Sequence, residues 1–420
     1  MKTKMMVAAS LLAACGMADV AYAQATLPVA YGGTKPPAVP QTPANDPRDT
    51  PEEIAKDAAR DLKDNRFYNR PGATRAQYDA AWQRCRLIAR GSRTPSGSIP
   101  YYYNPALMSP LAAGIGGGLG GLIAGAIAEG QQRRANRRSC LLIDGWRVVE
   151  VSKEAATRVA AMTDAERDTY FNGIVGAETV DGTITERKTF AQPDDLVARV
   201  DAPLTTPGSV FLGKKVDTAA PFTLAPGEAA VVVAFRRPNA ASAGRSALVQ
   251  LTRYDVKGRD LVYRPKDWKK TGDKTVYDLA VGSADRKAPY EVQVLRVTPG
   301  DYVIASTAVI TKIATTTNCF GAPTFHVEAG EVAYLGDFIP VVQDKSSVIV
   351  PMSGVAYARH EDDARKALAS AQSALAAALK PATFRNKATY ACSAITMDRW
   401  DLPGAEMLPE PQATAEVAAH

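Results

Sequence analysis

The sequence predicts an α+β protein, a helical module followed by an antiparallel β-sandwich with an inserted alanine-rich helix. Three observations carry this. Apolar residues keep helical spacing up to about residue 150, then alternate with period two from about Thr183 to Ser353. Within the helical part, Pro110 to Ala128 is nineteen residues without a charge, seven of them glycine. Late in the chain, Glu361 to Leu379 is rich in alanine, with three acidic residues at its start and Lys380 at its end, as the helix dipole favours.

The N-terminus reads as an export signal. Lys2 and Lys4 precede the apolar run Met5 to Ala14. Two exits are nested there. Leu12-Ala13-Ala14-Cys15 before Gly16 has the form of a lipobox, which would leave a lipidated Cys15 at the mature N-terminus. Ala21-Tyr22-Ala23 before Gln24 is a small-x-small cleavage site. The expected divisions are a signal over 1–23 (1–14 for a lipoprotein), a proline-rich disordered linker over 24–50 and a helical module over 51–150. A helical connector over 151–180, the sandwich over 181–400 and a disordered tail over 401–420 complete the chain.

Taken in order, Thr50-Pro51-Glu52-Glu53 is a capping box with proline at the first helical position, opening a helix with Ile54, Ala58 and Leu62 on one stripe. A second helix is expected over Arg75 to Ala89, with Tyr78, Ala81, Trp82, Cys85 and Ile88 on one face. After the glycine segment, helix should run past Arg133, Arg134, Arg137 and Arg138 to Ile143 and stop at Gly145. Trp146 to Val151 reads as a strand, and two short helices follow, the second capped by Thr163 with Glu166. Strand runs begin at Val231, Ala247, Tyr290, Tyr302 and Val332, and a last strand pair is expected around Thr389 to Met397. Leu224 to Glu228, Val297 to Asp301 and Val327 to Glu331 repeat one turn pattern, read as hairpin chemistry.

Four cysteines remain beyond Cys15, and export makes them disulfide candidates. Their order favours Cys85–Cys140 and Cys319–Cys392, each pair within one compositional segment and each bond contributing ~4 kcal/mol.

Ala113, Gly117, Gly121 and Gly125 recur every four residues, so a helix there would present a nearly side-chain-free ridge to another backbone or a lipid tail. Nineteen helical residues reach ~28 Å, just enough for a membrane core. A single span would put Cys85 and Cys140 on opposite sides, so a close-packing or shallowly embedded helix is the better expectation. Tyr78 and Cys85, then G-I-G-G-G-L-G-G-L-I-A-G-A, then Arg137-Arg138-Ser139-Cys140 and Gly145-Trp146 resemble the glycine-zipper proteins of the Gram-negative cell envelope, over residues 75–150. The resemblance implies a glycine-zipper module, outer-membrane or periplasmic placement, self-packing and no catalysis. Val297 to Tyr302 and Gly330 to Gly336 are similar to turns of uncharacterised envelope β-sandwich domains.

Enzyme signals are poor. His326, His360 and His420 are the only histidines, and none has metal or triad partners at a fixed spacing, so no catalytic residue, metal or cofactor is assigned. Asp194-Asp195 and Glu361-Asp362-Asp363 read as a loop and a helix start. The net charge of +6 is mild and spread out, and with export it argues against nucleic acid. One binding patch interleaves aromatic and basic residues: Tyr263, Arg264, Lys266, Trp268, Lys269, Lys270 and Lys274. The expected function is a non-enzymatic envelope protein whose partners are membrane lipid, envelope helices or its own copies. The alternative is a periplasmic module binding a ligand or glycan.

Overall fold

The computed structural model describes residues 66–89, 134–186, 208–213, 220–265, 267–309, 316–343, 352–391 and 399–409, with residues 52 and 216 besides. Cys15, the Thr50 helix, the glycine segment 110–128, Lys266 and Cys392 lie outside them. The protein is mixed α+β.

Three antiparallel strands, β1 (Arg66–Asn69), β2 (Arg147–Glu150) and β3 (Thr183–Glu186), form the first sheet in the order β1-β2-β3. Around it pack α1 (Arg75–Ala89), α2 (134–143), α3 (Lys153–Ala161) and α4 (Asp164–Ile174). The module is therefore not purely helical. The 151–180 segment is no mere connector either, because Ala155, Phe171 and Val175 share the core of Trp82, Trp146 and Val149. Helix α1 matches its expected span, and Tyr78, Ala81, Trp82, Cys85 and Ile88 are its buried face. Helix α2 ends in a Schellman motif: Trp146 N–H bonds Leu141 O, Gly145 N–H bonds Leu142 O, and Gly145 takes φ +91°. The Thr163–Glu166 capping box opens α4.

Two larger sheets share one apolar core. The eight-stranded sheet runs β17 (Glu406–Met407), β16 (Phe384–Ala388), β12 (Ala322–Val327), β10 (Gly300–Val309), β6 (Ala247–Asp255) and β7 (Asp260–Leu261), with β11 (Thr316–Thr317) on β10 and β8 (Asp278–Gly282) on β6. The six-stranded sheet runs β14 (Met352–Ala358), β13 (Val332–Gln343), β5 (Ala229–Arg236), β9 (Tyr290–Val297) and β4 (Ser209–Phe211), with β15 (Leu379–Pro381) on β13. Val231, Val233 and Phe235 of one sheet meet Val249, Leu251 and Ile304 of the other. The outer face of the larger sheet is covered too: Tyr254, Val303 and Ala322 belong to the apolar cluster of the first module.

Several sequence expectations are corrected. The sheets are mixed, since β4–β9, β5–β13, β13–β15 and β16–β17 pair in parallel. The repeated turns do not close hairpins. Residues 298–299 carry the chain from β9 in one sheet to β10 in the other, and residues 328–331 return it from β12 to β13. The turns centred on Pro226-Gly227 and Ala329-Gly330 keep the expected i to i+3 hydrogen bond and positive glycine φ. The alanine-rich segment is two helices, α6 (Glu361–Ala369) and α7 (Ser373–Ala378). The break is fixed by Gln372, whose side chain bonds Phe222 N and Ala220 O and whose backbone leaves helical geometry. Of the strand pair expected around Thr389 to Met397, residues 389–391 are not strand and 392–397 lie outside the described residues; the strand that precedes them is Phe384–Ala388. The tail is structured as far as residue 409: Trp400, Leu402 and Leu408 are buried, and Asn386 holds Leu402 through both side-chain atoms.

Candidate functional site

Three places gather chemistry. The first is the junction of α1 and α2. Cys85 and Cys140 are joined, with Cα atoms 5.6 Å apart. Asp144 receives both Arg84 at 2.8 Å and Arg70 at 3.6 Å. Beside the bridge the Arg137 guanidinium lies 5.2 Å over the Trp82 ring and is almost fully buried, so the arginine cluster is not a free basic face. Tyr78 meets Trp146 and Phe171 edge-on, at 5.2 Å and 5.1 Å, the favoured geometry for aromatic pairs. Both ends of the intervening chain leave close to the bridge. Ala89 is four helical residues past Cys85 and residue 134 is six before Cys140, so the two exits lie no more than about 21 Å apart. Cys319 is also disulfide-bonded and buried.

The second is the connection between β7 and β8. It contains α5 (Trp268–Thr271), ended by Gly272 in the left-handed region at φ +67°. Trp268 is half-buried, with the Arg264 guanidinium 4.7 Å and the Lys269 Nζ 5.5 Å from its ring centroid. Lys270 and Lys274 are exposed, and Tyr263 packs on the apolar cluster of the first module. The expected patch is thus brought together except for Lys266, which lies outside the described residues.

The third was missed by sequence reasoning. On the outer face of the six-stranded sheet, beneath the start of α6, the fully buried Asp337 accepts hydrogen bonds from Tyr334 Oη at 2.7 Å, Tyr290 Oη at 3.0 Å and His360 Nδ1 at 2.7 Å. Arg236 Nη1 lies 3.5 Å from the same carboxylate and 2.7 Å from Asp363. A β-bulge assembles this centre. The β5–β13 register slips between Tyr334 and Gly336, which turns Asp337 to the face of Tyr334 and Phe338 into the core. Gly336 adopts φ +123°, and a Cβ there would sit 2.4 Å from the Tyr357 ring. Burial, then the Asp337 charge, hold the Tyr290 and Tyr334 phenols well above their ordinary range. The Asp337 hydrogen bond raises His360 against the opposing effect of burial. The carboxylate fixes the imidazole through Nδ1, as in an acid–base pair, but here it also ties three strands to a helix.

His326 and its neighbour Asp301 form an exposed pair at 2.9 Å. Among the described residues no group of three His, Cys, Asp or Glu side chains is placed to hold a metal ion, and no helix is long and apolar enough to cross a membrane. No family model, characterised protein or solved structure matches this chain.

Proposed function

We propose that the chain is a non-enzymatic cell-envelope protein. It is exported and held against a membrane by the glycine ridge of residues 113–125, with its two-sheet sandwich standing in the periplasm. The observation that carries this reading is the Cys85–Cys140 bridge. It closes residues 86–139 into a loop whose exits lie no more than about 21 Å apart, whereas a hydrocarbon core is about 30 Å thick. The apolar segment therefore enters and leaves on one side, as the tip of a loop, packing shallowly in lipid or against a second copy. Its glycine content suits backbone-to-backbone packing better than a lone span.

The test uses the mature chain beginning at Gln24, so that no lipid on Cys15 contributes, and neutral phosphatidylcholine vesicles. The intact chain should float with the vesicles. Deletion of residues 110–128, whose flanks remain tied by the bridge, should leave it in the soluble fraction with its melting temperature kept. Flotation that survives the deletion, or never occurs, overturns the reading.

A further inference from the structure

We infer that the β7–β8 connection is a second membrane contact, a docking surface for the anionic phospholipid face of the bilayer that the proposed glycine loop enters. The inference rests on that reading in one respect, that a membrane stands beside the protein.

The connection spans residues 262–277 and lies between two strands that both pair antiparallel with β6, at successive positions along it. Its central stretch, Arg264 to Lys274, carries five basic residues against two acidic ones. Asp273 accepts the Thr275 N–H at 2.9 Å and the Tyr277 hydroxyl at 2.8 Å, and these bonds, with a smaller contribution from the Arg264 charge, hold its pKa below the ordinary value. Arg264, Lys269, Lys270 and Lys274 are exposed, and none lies within 4 Å of a described carboxylate. The four exposed cations outnumber the acids near them, Asp273 near Arg264 and Glu228 near Lys274, so an external anionic surface would compensate the remainder.

The aromatic component fits the same partner. Trp268 keeps part of its indole exposed while Arg264 and Lys269 lie over it, the amphipathic ring with basic companions that suits the headgroup level of a bilayer. The location agrees. Leu261 and Tyr263, which lead into the loop, belong to or pack on the apolar cluster that contains Cys85 and Cys140, so the loop is rooted in the same core as the bridge.

The experiment adds about one third phosphatidylglycerol to the phosphatidylcholine vesicles and measures partitioning of the mature chain. Anionic lipid should raise binding, and salt at about 1 M, where the Debye length is about 3 Å, should remove the increment. The K269E/K270E/K274E variant should lose about a hundredfold in partitioning to anionic vesicles and nothing to neutral ones. W268A should weaken anionic binding without changing its salt dependence. Near-ultraviolet dichroism of each variant confirms the fold, which exposed positions should leave intact. If the triple variant binds anionic vesicles as wild type does, or anionic lipid adds nothing to wild type, the inference fails. Loss of neutral-vesicle binding, by contrast, would overturn the glycine-loop reading alone.

Discussion

Arg236 and Arg237 are adjacent, almost equally buried, and end in opposite kinds of surroundings. Arg237 faces inward and is sealed. Its guanidinium donates to Arg245 O at 2.7 Å, Ala288 O at 2.8 Å and Ser283 Oγ at 2.8 Å, and it lies 3.5 Å from Glu291. Glu291 is saturated in turn by the N–H groups of Ala284 and Asp285 and by Gln293. Arg236 faces the helical layer. Its carboxylates are Asp337, which is shut away, and Asp363, which is 24% exposed, and the centre reaches solvent through His360, 21% exposed. The contrast separates two uses of buried charge. The Arg237 centre only closes a sheet end. The Arg236 centre clamps a helix onto a sheet and keeps a titratable group at its edge.

The sealed centre should break hardest. Arg237→Met would leave Glu291 buried without its cation, and we expect a loss of ~3–5 kcal/mol by urea denaturation. Adding Glu291→Met should restore much of it, because an apolar pair avoids the desolvation of both ions. A double variant no more stable than the single one would contradict this account. The open centre depends on backbone geometry first. Gly336→Ala meets both a positive φ and the Tyr357 ring, so it should cost about 3 kcal/mol and disturb the bulge that turns Asp337 outward. A neutral effect would show that the bulge is not required.

The smallest effect is the most diagnostic. His360 is raised above its ordinary value of 6.5, chiefly by its bond to Asp337. A group raised on folding stabilises fully below its unfolded pKa and loses that contribution as pH rises through the folded one. The melting-temperature advantage of wild type over His360→Gln should therefore be greatest below about pH 6.5 and shrink at higher pH. Arg237→Met should show no such profile near neutrality, because arginine stays charged there. A difference for His360→Gln that does not change with pH would remove the distinction between the two centres.

Much of the first module was legible because its signals are local. The Arg75–Ala89 stripe, the Thr163–Glu166 box and the Gly145 stop are each set by residues within a turn or two. Of the module's sheet only β2 was read, within the Trp146 to Val151 strand; β1 and β3 are four-residue strands far from it in sequence, with no period long enough to read. The cation–tryptophan loop was visible as composition, whereas the placing of Arg264 and Lys269 over a half-buried Trp268 became clear only in the structure. The Asp337 centre left little trace. Its members come from positions 236, 290, 334, 337, 360 and 363, and a Gly336 bulge decides which face Asp337 takes.

By itself the sequence determined helices such as Arg75–Ala89 and Asp164–Ile174, positions where glycine turns the chain, and the favoured pairing of Cys85 with Cys140. Each follows from neighbours in the chain or, for the bridge, from two cysteines that lie within one compositional segment. Only the tertiary structure decided that the repeated turns link two sheets, that Gln372 splits the alanine-rich helix, and that the residues after 400 close the larger sheet. These depend on which surfaces remain to be covered once the sheets have paired. That is a property of the assembled layers, and no local stretch of sequence contains it.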